Sequence, residues 1–370
     1  MLVADKKNGG KMTVEQALPR VVAALHRAMP FTRLVDCGMD AADARRLLAE
    51  TAAGVPWEEC AEALGEAQHR RSLAEEAAGH RVTAVEAARA ATAAFLFAQL
   101  ARNADDDIKR SRHRRYVAAL ARVAALSEPA IERIELPYGP GRLVGWLALP
   151  DGGRARATVI VSGGLSGWGG AYLPVADALN RRGLACLLAE GPGQGESRIE
   201  NGCHLDENVS AGFGRFVDAI FADPRLGDRV GVQGNSFGGL FAALLARDDE
   251  RVGACVVNGA PTTPFVSQYR MAREQTMAAI GTGDTARATA VLHALAFDGA
   301  RKPVKAPLLV LQGGRDPLVV EERQRLFLRG ADPSASRMRV WPDGEHTLYN
   351  HGAERNAFTA DWFADHLLPR

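Results

Sequence analysis

The feature that most constrains this 370-residue chain is a series of short, continuously apolar segments in its second part. They are ATVIVSGG (157–164), LACLLAEGPG (184–193), RVGVQG (229–234), GACVVNGA (253–260), PLLVLQGG (307–314) and RMRVWPDG (337–344), each running out into Gly or Pro. A strand that is apolar on successive residues is buried on both faces. Such strands alternating with helical segments require a mostly parallel sheet covered by helices on both sides. We therefore expect an α/β fold with a doubly wound sheet.

Residues 13 to about 128 have another texture, rich in Ala, Leu, Arg and Glu with apolar residues at helical spacing. Gly54 and Gly79 fall where helices end, and Pro56 and Thr83 where the next would start. The texture changes at Ser127-Glu128-Pro129, after which IERIELPYGPGRLVGWLALPDGG alternates and turns like a hairpin. The expected organisation is an all-helical N-terminal unit over 1–128 and a catalytic unit over 129–370, with 262–304 forming helices over the carboxyl edge of the sheet.

Lys plus Arg number 45 against 44 Asp plus Glu, so there is no basic footprint for nucleic acid. The basic run KRSRHRR (109–115), which follows three aspartates, is expected on a solvated helix face. Five dispersed cysteines form no CxxC pair, which points to a reducing, cytoplasmic setting without a disulfide framework. MLVADKKNGGKM has no apolar signal core, and the longest apolar stretch, 90–101, is too short to span a bilayer. No His, Cys and carboxylate set has metal-ligand spacing, and EGPGQGES (190–197) lacks the spacing of a dinucleotide fingerprint. We expect no cofactor, no metal, no nucleic acid and no membrane.

Sites in open α/β sheets lie beyond the carboxyl ends of the strands. Three reactive residues fall there, in the order Ser236, Asp316, His346. Gly234-Asn235-Ser236-Phe237-Gly238 matches G-x-S-x-G between a strand and a helix. A one-residue turn from strand to helix strains the serine and projects its hydroxyl. It also presents the N–H of Phe237 to a developing oxyanion. Alone the pentapeptide could be a plain glycine turn. Asp316, just past Gly313-Gly314, and His346, in WPDGEHTLY, supply the acid and base of a Ser-His-Asp triad. The glycine loop VSGGLSGWGGAY (161–172) offers the second oxyanion donor, Leu165 first and Gly164 close behind. Trp168 either lines the pocket or packs against the helical unit. Tyr269 and Arg270 are candidate substrate contacts. Cys203-His204 has no such turn and no orienting acid, and is set aside as a nucleophile.

GNSFGG, GGRDPL and GEHTLYN, with VSGGLSGWGG and EGPGQGES, resemble the α/β-hydrolase superfamily over residues 130–370. The helical unit ahead of them is similar to that of the FrsA-like esterases and the 2,6-dihydroxypseudooxynicotine hydrolase-like enzymes. That resemblance implies a helical cap over the site, a homodimer, and the roles of nucleophile for Ser236, base then acid for His346, orienter for Asp316, and oxyanion hole for Phe237 with Leu165. It also implies a small or medium carbonyl substrate, cleaved either at a carbon–carbon bond next to a ketone or at an ester. The alternatives are an acyltransferase, thioesterase or cyclase of natural-product assembly, and a non-catalytic ligand-binding receptor.

Overall fold

A computed structural model describes residues 14–368, with side chains from residue 20 onward, and a short antiparallel pair, β1 (Val3–Ala4) with β2 (Lys11–Met12). The expectation that MLVADKKNGGKM lacks a signal core falls mostly outside the described residues.

Six helices precede the main sheet: α1 (Val14–Ala28), α2 (Phe31–Asp36), α3 (Ala41–Ala52), α4 (Trp57–Ala77), α5 (Arg81–Leu100) and α6 (Asp107–Leu126). Their ends follow local chemistry. The Asp40 carboxylate accepts from the N–H of Ala42 and Asp43, and that of Asp106 from the N–H of Lys109. Gly54 and Gly79 take positive φ after α3 and α4, where a side chain would be strained. The fifth helix begins at Arg81, two residues before the expected Thr83. Its second half, Ala93 to Leu100, is buried without a break, because it lies between the other helices and the second unit.

The eight-stranded sheet has the order β10-β9-β8-β7-β5-β6-β4-β3. The strands are β3 (Glu132–Tyr138), β4 (Gly141–Ala148), β5 (Thr158–Ser162), β6 (Ala185–Glu190), β7 (Val230–Asn235), β8 (Val252–Asn258), β9 (Leu308–Gly313) and β10 (Arg337–Trp341). All pairs from β10 to β6 are parallel, and β4 and β3 join antiparallel as the expected hairpin. Burial follows position. β5, β6, β7 and β9 are buried at every residue, while the edge strand β3 alternates between half-buried and exposed.

The connecting helices are α7 (Leu173–Asn180), α8 (Gly195–Ile199), α9 (Val209–Ala222), α10 (Phe237–Asp248), α11 (Arg270–Ile280), α12 (Thr285–Ala294), α13 (Glu321–Gln324) and α14 (Gly352–Leu367). One apolar core joins α5 and α6 to α7, α14 and one sheet face; a second core packs α9 and α10 on the other face. The helical unit thus shares a core with the sheet. Arg89 of α5 also forms a two-pronged ion pair with Asp177 of α7, at 2.5 and 2.9 Å.

The run 109–115 departs from expectation. Lys109 and His113 are buried, while Arg112, Arg114 and Arg115 pair with Glu58, Glu62, Glu66 and Glu200. Positions 109, 113, 116, 120 and 123 share one inward stripe of α6, so the apolar period of its second half carries the two basic residues inside.

Candidate active site

Ser236 stands between β7 and α10 with φ 56° and ψ −127°, one of three non-glycine residues with positive φ among those described. Such a conformation costs on the order of 1–3 kcal/mol and persists only when its surroundings hold it. Here the Ser236 N–H donates to the Asn258 carbonyl at 2.8 Å, and its own carbonyl accepts from Gly239 at 2.9 Å. The neighbouring glycines are required by space. A Cβ on Gly234 would overlap the Gly238 carbonyl, and one on Gly238 would overlap the carbonyls of Ser162 and Gly163.

The loop after β5 closes against this turn. A Cβ on Gly164 would lie 3.2 Å from the Ser236 Cβ and 3.6 Å from the Phe237 nitrogen. Gly164 therefore faces both the serine and the first N–H of α10, a group with no partner inside its own helix. Leu165, next in the loop, is half-buried against the second apolar core. Gln194, after β6, fixes the loop from beneath: its Nε2 donates to the carbonyls of Gly163 and Gly164.

Asp316 follows β9, and its side chain is fully covered. One carboxylate oxygen accepts from the N–H groups of Leu318 and Val319, at 2.8 and 3.1 Å. The other meets His346 Nδ1 at 2.8 Å. With Nδ1–H donated to Asp316, Nε2 is the nitrogen left to exchange a proton.

The His346 loop is strained as well, since Thr347 and Leu348 both take positive φ, 52° and 63°. Two side chains hold it by the Thr347 carbonyl: Asn258 Nδ2 and Arg355 Nη1, each at 2.9 Å. The same Asn258 amide donates to Asn235 Oδ1 at 2.9 Å, tying the residue before Ser236 to the residue after His346.

Three side chains of the short helix α2 reach these loops. Thr32 Oγ1 donates to Glu345 at 2.5 Å, beside His346. Arg33 Nη2 donates to Ser166, to the carbonyl at 3.3 Å and the hydroxyl at 3.1 Å, in the glycine loop. Asp36 pairs with both terminal nitrogens of Arg355, at 2.9 and 3.0 Å, with side chains only 8% and 2% exposed. The helical unit is bonded to the glycine loop beside Ser236 and to the loop that carries His346.

Trp168 packs against the helical unit. It is buried, donates from Nε1 to the Gly164 carbonyl at 3.1 Å, and its carbonyl accepts from Tyr116 of α6 at 2.8 Å. It also lines a small cavity at the seam with α6. Tyr269 and Arg270, by contrast, stand well exposed at the start of α11, where Arg270 lies 3.8 Å from Glu274. Among the described residues, no hydrogen bond or ion pair joins either of them to another candidate residue.

Several contributors escaped the sequence. Glu190, which ends β6, is buried, and its carboxylate accepts from the Glu196 N–H at 2.6 Å. Burial first, then the charge of Glu196, pushes its carboxyl up to about 8; the Glu196 N–H and Arg133 oppose this. Asn258 had a signal, being a polar residue at the end of an apolar strand. Asp36 and Arg355, 319 positions apart, had none. Among the described residues, no helix is long and apolar enough to cross a membrane, and no three His, Cys, Asp or Glu cluster as metal ligands.

Residues 157–278 match the family model described as alpha/beta hydrolase fold, a span that holds Ser236 and ends before Asp316 and His346. The 2,6-dihydropseudooxynicotine hydrolase of Paenarthrobacter nicotinovorans is 23% identical over 272 residues, 71% of this chain and 72% of that protein. Hydrolyase poxO of Penicillium oxalicum is 29% identical over 162 residues, 40% of this chain and 36% of its own length. The solved structure of a 2,6-dihydroxy-pseudo-oxynicotine hydrolase superposes with a TM-score of 0.81 at 22% identity, covering 91% of this chain and 95% of that one. Wild-type AbyA5 superposes with a TM-score of 0.66 at 22% identity, over 94% and 98%. At these coverages the two superpositions extend over helices ahead of the sheet.

Proposed function

We propose that this chain, which has the α/β-hydrolase fold, is a hydrolase in which Ser236, His346 and Asp316 act together to cleave a small or medium carbonyl substrate beneath the helical unit as a cap. His346 Nε2 takes the Ser236 proton as the hydroxyl attacks the carbonyl carbon, and Asp316 stabilises the imidazolium through Nδ1. The tetrahedral oxyanion lies against the Phe237 N–H and an N–H of the Gly164–Leu165 segment. Each such donor is worth on the order of 10²–10³ in rate. The imidazolium then protonates the leaving group, and a water activated by His346 releases the acyl enzyme. An ester gives an alcohol. A ketone with a stabilised neighbouring carbon gives a protonated carbon, and the same three residues serve both bonds.

The observation that carries this reading is the Ser236 backbone at φ 56°. The strained conformation is retained directly beside a loop backbone with no side chain to block approach, and the His346–Asp316 pair at 2.8 Å supplies a base of fixed orientation. Ser236→Ala tests it on a panel of aryl esters, thioesters and β-diketones. The variant should fold normally and lose at least about 10³-fold in turnover, and the wild type alone should be labelled by a fluorophosphonate. Near-normal turnover of Ser236→Ala would overturn the assignment. The substrate hydrolysed fastest by the wild type identifies the bond.

A further inference from the structure

The loop after β5, which faces Ser236, has few constraints of its own. Five of the eight residues from Gly163 to Gly170 are glycine, so side-chain sterics do little to fix its φ and ψ. Its peptide planes are set from outside instead. The Gly164 carbonyl accepts from Trp168 Nε1 at 3.1 Å and from Gln194 Nε2 at 3.2 Å, and the same Nε2 reaches the Gly163 carbonyl. Trp168 and Gln194 are both buried. Trp168 is held in turn by α6 and α8. Its carbonyl accepts from the Tyr116 hydroxyl at 2.8 Å, and that oxygen accepts from the Gly170 N–H, also at 2.8 Å. The Arg198 guanidinium lies 5.2 Å from the indole centre, within cation–π range.

The direction of these bonds matters. The peptides of this loop are trans, and in a trans peptide the C=O of one residue and the N–H of the next point opposite ways. In the sheet, β5 lies between β6 and β7. Gln194 follows β6, whereas Ser236 follows β7. The carbonyls of Gly163 and Gly164 both turn to the Gln194 side. The N–H groups of Gly164 and Leu165 therefore turn to the other side, where a Cβ on Gly164 would lie 3.2 Å from the Ser236 Cβ and 3.6 Å from the Phe237 nitrogen. Among the described residues, neither N–H has a hydrogen-bond acceptor. Two successive N–H groups aimed the same way make a concavity for an anion. A flip of the Gly164–Leu165 peptide would put a carbonyl oxygen in place of the Leu165 N–H and repel an oxyanion.

We propose that Trp168 and Gln194 are positioning residues for the reaction: by pinning the Gly164 carbonyl they hold the Leu165 N–H toward the oxyanion. This rests on Ser236 being the nucleophile. It also gives the helical unit a part in the chemistry. Tyr116 of α6 holds Trp168, and Trp168 holds the donor peptide, so the oxyanion hole is in register only while that helix is docked. A packing role alone would require the ring of Trp168 but not its N–H.

Trp168→Phe keeps a ring in place and removes the N–H. Aryl-ester turnover per active site, with sites counted by fluorophosphonate labelling, should fall about 3–10-fold, the net worth of one hydrogen bond. The rate of labelling should fall by a similar factor, because the phosphonyl oxygen occupies the same hole. KM and the kinetic pKa of His346 should not move, since binding and the triad are untouched. Adding Gln194→Met releases the peptide and should deepen the loss to about 10²-fold, the worth of one oxyanion donor. As a control, Trp146→Phe trims a similarly buried indole of β4. It should lower the melting temperature and leave turnover per site unchanged. Turnover per site within about twofold of the wild type in Trp168→Phe, or a loss accompanied by a shifted kinetic pKa, overturns the proposal. Gln194→Met alone is read in the same way if Trp168→Phe does not fold. A wild type that the fluorophosphonate leaves unlabelled refutes Ser236 as the nucleophile, whereas a labelled wild type with an unaffected Trp168→Phe refutes only the positioning role.

Discussion

The contact of α2 with the His346 loop allows stability and positioning to be separated. Asp36→Asn removes one charge from a pair whose side chains are 8% and 2% exposed, and leaves Arg355 buried without its counter-ion. Breaking such a pair from one side costs about 3–5 kcal/mol. With an unfolding entropy of roughly 2.1 cal/mol/K per residue, cooperative unfolding of 370 residues converts that loss into a Tm lowered by roughly 4–6 °C. Turnover should change little, because Arg355 keeps its bond to the Thr347 carbonyl. The double variant Asp36→Leu with Arg355→Met behaves differently. Replacing both charges by apolar groups of similar size is often neutral, so most of the Tm should return. The Thr347 carbonyl, however, loses one of its two donors, and a shift of about 1 Å in the His346 loop lowers kcat by up to about 10²-fold. Differential scanning calorimetry and aryl-ester turnover on the three proteins check both halves. If Asp36→Asn melts within about 1 °C of the wild type, or the double variant keeps full kcat, the reasoning is wrong.

Two further outcomes follow from single side chains. Glu190 holds its proton up to about pH 8 in the fold but only to about 4.5 when unfolded, so the folded state binds the extra proton between those values. Stability therefore falls as pH rises from about 5 to 8. Glu190→Gln, which keeps the acceptor for the Glu196 N–H, should match the wild type in denaturant melts near pH 5 and exceed it increasingly toward pH 8; a constant difference would contradict the buried, unpaired carboxyl. Gly234→Ala forces a Cβ onto the Gly238 carbonyl, a backbone atom that cannot rotate away. It should cost about 1–3 kcal/mol or more and abolish fluorophosphonate labelling, and an unaltered melting temperature would show that the turn has slack.

Much of this was legible in the sequence because its signals are local. Six apolar runs became β5 to β10 in order, and the glycines around Ser236 marked the turn before any partner was known. Asp316 and His346 were found by their position after strands, and they do bond. What stayed hidden depends on chain segments that meet only in the fold. The partner of Arg355 lies in α2, and the donors on the glycine loop come from Gln194 and Arg33. Lys109 and His113 were misplaced for another reason. A run of charges points to solvent, but the stripe through Tyr116, Leu120 and Val123 runs back through both.

The five cysteines bear on how the molecule can be watched. All are free thiols and all are buried, Cys37 and Cys60 in the helical unit and Cys186, Cys203 and Cys255 in the sheet unit. Burial pushes the thiols of Cys37 and Cys60 up to about 12 and raises the other three as well. A thiolate is the form that reacts with maleimides, so the folded chain is silent toward them until some part of it opens. Each half of the molecule thus carries its own internal clock. The order in which its thiols become modified records whether the helical roof lifts away before the strands beneath it come apart.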